Sequence, residues 1–185
     1  MVRCFIAVDL DSRVITTISQ AIAELKEAVP FIRWIPPNNF HLTIKFLGKI
    51  EQERIHSIAT ALSQQLEPFP RFSINAKGLG VFPDLRRPKI LWVGFISERL
   101  SVLVKQVELV LQPLGFAPEN RPFTPHLTIG RWRHFERPPR TLGVELLKWR
   151  DCEFGESFID QVVLYESILK PDGASYQKLH IVALS

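Results

Sequence analysis

Apolar residues recur every three or four positions in three segments of the chain, which is the spacing of one face of an α-helix. The clearest segment is 98–114, whose apolar positions are Leu100, Leu103, Val104, Val107, Val110 and Leu111. A second predicted helix is capped by Asp11 or Ser12 and ends near Ala28, and a third covers about 51–66. Prolines directly after these last two segments end them, since proline cannot continue a helix.

Short apolar runs between these helices are rich in β-branched and aromatic residues, the composition of strands. They predict extended segments over 3–9, 32–35, 40–47, 72–76, 90–95, 123–132, 157–166 and 175–184. The stretch between the fourth and fifth runs holds two glycines and two prolines, so we expect a loop over 77–89. Turns expected at 36–39 and 170–173 complete a mixed α+β pattern.

One tetrapeptide occurs twice in these extended segments. His-Leu-Thr-Ile lies at 41–44 and again at 126–129, 85 positions later. Each copy falls in a β-rich run that has a comparable helix beside it. The repetition predicts an internal duplication, in which residues 1–185 form a single domain of two facing lobes.

Length and composition narrow the class of protein. The chain has 185 residues, of which 46% are hydrophobic, enough for one compact unit with a substantial core. It has no apolar run of the roughly 18 residues that a membrane span needs, and its first residues do not resemble a signal peptide. We therefore expect a cytoplasmic protein with no membrane partner. Cys4 and Cys152 are too few for a disulfide framework and are interpreted as reduced core residues.

Positive charge is concentrated in the second half of the chain. The formal net charge is +4, yet residues 121–150 alone hold seven basic and two acidic residues. Trp132 and Phe135 lie among them, and such a mixture suits the phosphates and bases of a nucleic acid. A solvated loop has the same pattern. A smaller basic cluster precedes it in the chain and consists of Arg86, Arg87 and Lys89.

The repeated tetrapeptide has a composition suited to proton transfer. Residues two apart in a strand share a face, so His41 lies beside Thr43 and His126 beside Thr128. Histidine, with an ordinary pKa of about 6.5, serves as acid or base near neutral pH. Displacement at phosphorus needs a base and an acid on opposite sides, and facing lobes supply them. Threonine hydroxyls can donate to the developing negative charge, so we expect no metal and no cofactor.

Three other interpretations of the histidines have less support. A single histidine in a strand is usually structural, and we interpret His56, His134 and His180 in this way. A zinc site needs further ligands, but neither motif has a carboxylate or thiolate at ligand spacing. A serine or cysteine hydrolase gives no reason for the duplication, and the chain lacks a Gly-x-Ser-x-Gly motif.

The doubled motif with its flanks resembles the two-histidine phosphoesterases, and within them the RNA 2',3'-cyclic phosphodiesterases, also called 2'-5' RNA ligases. The resemblance covers nearly the whole chain. Its residues are Arg3 with Phe5-Ile6-Ala7-Val8, the segment from Asn39 to Gly48, Pro88 with Trp92-Val93-Gly94, the segment from Phe123 to Arg131, and Ser167, Leu169, Pro171, Gly173 and Tyr176.

This resemblance implies a bilobal α+β fold, with two pseudo-symmetric lobes of antiparallel sheet and flanking helices around a central cleft. It implies hydrolysis of a terminal 2',3'-cyclic phosphate of RNA to a 2'-phosphate without metal, and in some members the reversible joining of 2'-5' linkages. His41 would then protonate the departing 3'-oxygen and His126 would activate water. Thr43 and Thr128 would hold the phosphate.

Four further residues are candidates for substrate contact. Lys45 falls on the same strand face as His41 by strict alternation. Arg131 matches the family's arginine after the second motif, but alternation puts it on the opposite face unless a bulge intervenes. Trp34 and Tyr176 could stack on or border a terminal base, whereas Phe5 is interpreted as core. Expected partners are RNA with a cyclic phosphate end or a small cyclic nucleotide; a non-catalytic RNA-binding module is the other alternative, and we expect a monomer.

Overall fold

The computed structural model describes residues 1–133, 138–171 and 173–185. Its strands are β1 (Val2–Val8), β2 (Ile32–Trp34), β3 (Leu42–Ile50), β4 (Phe72–Phe82), β5 (Ile90–Ile96), β6 (His126–Trp132), β7 (Glu153–Ile159), β8 (Gln161–Lys170) and β9 (Gly173–Ala183). Its α-helices are α1 (Ser12–Ala28), α2 (Arg54–Leu66), α3 (Glu98–Leu111) and α4 (Leu142–Lys148). His134 and Phe135, and Asp172 of the expected turn at 170–173, lie outside the described residues.

The described strands form two antiparallel sheets. The first has the order β3-β1-β8-β9 and the second the order β2-β6-β5-β4-β7. One copy of the tetrapeptide lies at β3 in the first sheet and the other at β6 in the second, each beside a central strand, β1 or β5. The predicted α+β class and the arrangement of two antiparallel lobes are confirmed.

The helices cover the outer faces of the sheets. In α1 the buried residues are Val14, Ile18, Ala21, Ile22 and Leu25, the stripe that helical spacing predicts. This helix packs on β7 of the second sheet, whereas α2 packs on β9 and α3 on β3 of the first. No helix in the described ranges is long and apolar enough to cross a membrane.

Two hydrophobic clusters lie on opposite faces of the first sheet. The large core joins both sheets and the helices, and Ile6 and Val8 of β1 belong to it. Successive residues of a strand point to opposite faces, so Phe5 and Ala7 lie on the other side. There they form a small second cluster with Val163, Tyr165 and the partly buried Tyr176. Phe5 is buried as expected, but its surroundings are this second cluster.

The expected loop over 77–89 is wrong in its first half, because β4 continues to Phe82. Its glycines serve close approach inside the sheet. A Cβ on Gly78, where φ is +74°, would lie 2.6 Å from the Arg150 carbonyl oxygen, and one on Gly80 would overlap the Trp92 ring. Composition alone does not separate such glycines from those of a turn.

Several other boundaries and elements differ from the sequence prediction. The segment 157–166 is divided between β7 and β8, which belong to different sheets. The short helix α4 has no counterpart in the prediction. The strand expected from 123 begins only at His126, and α3 ends at Leu111, followed by a 3-10 turn.

Candidate active site

Both copies of the tetrapeptide carry a β-bulge at the isoleucine. In the first sheet Ala7 pairs with Thr43 and Ile6 with Lys45, so Ile44 has no partner. In the second, Trp92 pairs with Thr128 and Leu91 with Gly130, and Ile129 is the extra residue. A bulge shifts the alternation of side chains by one residue. The residue three positions after each threonine, Phe46 or Arg131, therefore lies on the same face of the strand as that threonine.

The bulges reverse the predicted placement of two residues. Arg131 lies on the same face as His126 and Thr128 and lines the same cavity. The placement of Lys45 on the face of His41 is wrong, because the bulge turns its side chain toward α3. There its Nζ lies 2.8 Å from both carboxylate oxygens of Glu108, and its side chain is only 4% exposed.

Phe46 takes the place that alternation assigned to Lys45. It is 65% exposed although it is aromatic, and it lines the cavity. Phe46 and Arg131 are 85 positions apart, like the two tetrapeptides, and are therefore equivalent positions in the two sheets. Sequence reasoning missed Phe46; the available signal was this offset from Arg131, combined with the bulge.

A cavity of about 430 Å³ between the two sheets brings the motifs together. It is lined by His41, Thr43, His126 and Thr128. Tyr176 lines it as well, with its ring edge-on to His41 at 4.8 Å. Trp34 does not line it and packs against the main core. The two halves of the chain therefore present their matching residues to one shared space.

The two histidine rings are held in the same way. Nδ1 of His41 lies 2.8 Å from the carbonyl oxygen of Asn39, and Nδ1 of His126 lies 2.8 Å from that of Thr124. A carbonyl oxygen only accepts, so Nδ1 of each ring carries the hydrogen and donates it. Nε2 is then the basic nitrogen of each neutral ring. Each motif therefore presents one atom suited to accepting or returning a proton.

Aromatic neighbours surround His41. Phe5 and Tyr176 each lie 4.8 Å from its ring, and Tyr165 stacks on Phe5. The pKa of His41 is lowered to about 4, chiefly by burial and in smaller part by the positive charge of Arg131. The hydrogen bond to Asn39 and the negative charge of Asp9 oppose that shift.

His126 lies in a similar but less enclosed setting. The ring of Phe82 stands edge-on to it at 5.0 Å, with Trp92 at 6.5 Å. Burial lowers its pKa, the hydrogen bond to the Thr124 carbonyl opposes this, and Arg131 again favours the neutral form. In the free protein both histidines therefore favour the neutral form at pH 7.

The negative charge near His41 belongs to a small network. Asp9 accepts hydrogen bonds from the Tyr165 hydroxyl and from Lys178, whose Nζ is 2.7 Å away. Burial raises the pKa of Tyr165, and the hydrogen bond to Asp9 and its negative charge raise it further, so this phenol stays protonated. Across the residues that the structure describes, no group of three or more His, Cys, Asp or Glu is arranged to hold a metal ion.

Comparison with known proteins identifies relatives over nearly the whole chain. The family model described as LigT like Phosphoesterase matches residues 8–92 and 94–175, and each segment contains one tetrapeptide. The chain is 34% identical to the RNA 2',3'-cyclic phosphodiesterase of Aquifex aeolicus, covering 95% of this chain and 94% of that protein. It is 32% identical to the protein of the same name from Thermotoga maritima, with 96% and 93% covered.

Solved structures share the fold. TT0787 of Thermus thermophilus superposes with a TM-score of 0.82 at 24% identity, covering 98% of this chain and 97% of that one. Escherichia coli LigT, in a complex with 3'-AMP, superposes with a TM-score of 0.77 at 22% identity, with 100% and 98% covered. At these identities the likeness extends to the fold alone.

Proposed function

Because the chain belongs to the family of LigT-like phosphoesterases and is a phosphodiesterase, we propose that it hydrolyses the terminal 2',3'-cyclic phosphate of RNA to a 2'-phosphomonoester without a metal. One observation carries this proposal. Two identical His-x-Thr pairs enter one cavity from separate sheets, and both imidazoles are fixed through Nδ1. Paired acid and base at a phosphorus centre need this arrangement.

The reaction is an in-line displacement at phosphorus. His126 removes a proton from water as its oxygen bonds to phosphorus, and the bond from phosphorus to the 3'-oxygen breaks. His41, protonated in the complex, donates its proton to the departing 3'-oxygen. The two histidines then exchange a proton with solvent, which restores their starting states. The product keeps its phosphate on the 2'-oxygen.

Charge on the non-bridging oxygens is met by donors from both sheets. The hydroxyls of Thr43 and Thr128 donate hydrogen bonds, and Arg131 supplies positive charge. The negative phosphate also offsets the effect of Arg131 on the histidines, and so favours a protonated imidazole once substrate is bound. The same site would join RNA ends if a 5'-hydroxyl took the place of water.

The inequality of the two sides supports the division of roles. Phe46 offers an exposed aromatic face to the cavity from the strand that follows His41, whereas the equivalent position in the strand of His126 carries the cation Arg131. A base stacked on Phe46 places the nucleoside, and with it the 3'-oxygen, toward His41. Water then approaches from the side of His126. Tyr176 lies at the same end of the cavity and borders the nucleoside.

The experiment uses a short RNA ending in a 2',3'-cyclic phosphate, with EDTA present throughout. The product phosphate is located by NMR. We expect a 2'-phosphate from the wild type, and a rate lowered about 100-fold or more in His41→Ala and in His126→Ala. His56→Ala, an exposed histidine on α2, is the matched control and should keep the wild-type rate.

Each alternative has a distinct outcome. Wild-type rates in both histidine variants would show that His41 and His126 are not the acid and base of the reaction. Activity that EDTA abolishes and a divalent ion restores would favour a metal-dependent mechanism. RNA binding without turnover in the wild type would favour the binding module.

A further inference from the structure

The tip of the β4–β5 hairpin, residues 83–89, lies at the mouth of the cavity. Phe82, which precedes it, contacts the ring of His126, and Ile90, which follows it, lines the cavity. The N–H of Lys89 donates to the carbonyl of Phe82 at 2.7 Å and closes the hairpin. The residues between them therefore stand at the edge of the reaction site.

This tip exposes three cations. Arg86, Arg87 and Lys89 are all solvent-exposed. Asp84 is the only acid in the tip, and its Oδ1 accepts the backbone N–H groups of Arg86 at 2.8 Å and Arg87 at 3.1 Å. None of the ion pairs found in the described part of the chain includes these three side chains. Their charge is therefore available to an anion.

The second sheet continues this positive edge. The N–H of Trp132, which follows Arg131, donates to the carbonyl of Lys89 at 3.1 Å. The start of α4 adjoins the tip, because a Cβ on Gly143 would lie 3.9 Å from Leu85. Arg140, just before that helix, is exposed. We call Arg86, Arg87, Lys89 and Arg140 the basic rim.

The first sheet, over its described residues, offers no such surface near the cavity. Its exposed cations are accompanied by acids. Lys178 of β9 pairs with Asp9, and Arg3, which lines the cavity, lies with Lys49 and Lys170 along the ends of β1, β3 and β8, where Glu51, Glu53 and Glu166 also lie. The basic rim contrasts with this. Among the described residues, the Asp84 Oδ1 in the tip accepts backbone N–H groups, and Glu145 of the adjoining α4 pairs with Lys148. A polyanion is therefore attracted to one side of the cavity.

We propose that the basic rim binds the phosphates of the RNA chain that precedes the terminal nucleotide. The inference rests on the proposed function, which supplies the RNA end. The cavity, at about 430 Å³, has the size of a small-ligand site, so the preceding nucleotides lie outside it. Exposed apolar side chains beside the cations, Leu85 at 51% and Val144 at 59%, add contact area for bases.

The test compares two substrates that share the same terminal nucleotide. One is 2',3'-cyclic AMP, and the other is a ten-nucleotide RNA ending in that cyclic nucleotide. For Arg86→Gln/Arg87→Gln we expect kcat/KM on the RNA to fall about tenfold at low salt, and kcat/KM on the mononucleotide to stay within twofold. The salt slope for the RNA should decrease by about 0.7 for each phosphate that the variant no longer neutralises.

The matched control is Arg99→Gln/Lys105→Gln on α3. This pair removes the same charge from exposed positions, and α3 begins after the end of β5 that lies farthest from the tip. Control and rim variants that lose equal activity on the RNA would overturn the proposal, since net charge would explain the effect. An equal loss on both substrates would also overturn it, because the tip would then shape the reaction site.

A binding measurement separates this inference from the proposed function. The probe is a 5'-fluorescein RNA of the same length ending in a 2'-phosphate, followed by fluorescence anisotropy from 50 to 300 mM salt. Weaker, less salt-dependent binding by the rim variant supports the surface whether or not the wild type hydrolyses the cyclic phosphate. Absence of turnover of both substrates by the wild type would contradict the proposed function. Unchanged binding of the probe by the rim variant would contradict RNA binding by the basic rim.

Discussion

Among the described residues, Arg131 is the side chain whose charge acts on both histidines of the cavity. It lowers the pKa of His41 and of His126, in addition to the larger effect of burial. The profile of kcat/KM against pH reports the ionisation of the free enzyme. The pKa values obtained from both limbs of that profile should therefore lie below the ordinary histidine pKa of about 6.5.

Removing that charge should move both limbs to higher pH. In Arg131→Gln each histidine loses a repulsive positive neighbour, so its protonated form is less disfavoured and its pKa rises. The measurement is kcat/KM for 2',3'-cyclic AMP from pH 3.5 to 9, with Arg99→Gln as the control. The maximum rate should also fall, because phosphate loses a cation. Limbs that stay in place would show that Arg131 does not influence the histidines.

At the scale of the strand, the two bulges decide which residues face the cavity. The bulge at Ile129 brings Arg131 to the cavity, and the bulge at Ile44 replaces Lys45 by Phe46. Lys45 instead joins β3 to α3 through Glu108 and through the carbonyl of Ala117 at 2.8 Å. This buried contact joins β3 to α3 and does not line the cavity, so its role is to stabilise the packing of the strand against the helix.

Lys45→Met should therefore damage stability and leave substrate affinity intact. Loss of one partner leaves the Glu108 carboxylate unpaired in a partly buried site, which costs about 3 kcal/mol of unfolding free energy. Lys45→Met/Glu108→Leu should recover most of that loss. Urea unfolding gives the stability, and the KM for 2',3'-cyclic AMP should stay within twofold. A tenfold higher KM with unchanged stability would restore Lys45 as a phosphate ligand.

At the scale of the whole molecule, the two copies of the tetrapeptide have unequal surroundings. The side of His41 has a second aromatic cluster and the acid Asp9, whereas the side of His126 adjoins the basic rim. Both sheets present the same pair of groups, a histidine and a threonine, to the cavity. The different residues around each pair make the two sides of the cavity chemically distinct. A symmetric substrate site would have no preferred leaving oxygen.

Burial of His41 also links folding to pH. Its folded pKa of about 4 lies below the unfolded value of about 6.5, so the folded state favours the neutral ring. This contribution is complete above pH 6.5 and is lost as the pH falls toward 4, by at most about 3 kcal/mol. His41→Asn should flatten the decrease in Tm between pH 7 and 4 relative to the wild type. Parallel curves for both proteins would contradict the linkage.

The sequence by itself determined most of the elements and the candidate reacting groups. Helical and strand periodicity located α1, α2, α3 and most strands, because each pattern reflects one buried face. The repeated tetrapeptide identified both histidines and both threonines, since its local alternation places each pair on one face. These features depend on neighbours within a few residues.

Only the tertiary structure decided what depends on pairing between distant segments. The two bulges are properties of β1 with β3 and of β5 with β6, so alternation along one strand misplaced Lys45 and left Arg131 open. Gly78 is required by Arg150, which lies far away in the chain, and Gly80 by Trp92 on the neighbouring strand, whereas the sequence pattern there suggested a loop. The exposed faces of Phe46 and of the basic rim likewise follow from which sheets meet at the cavity, a relation that no local periodicity encodes.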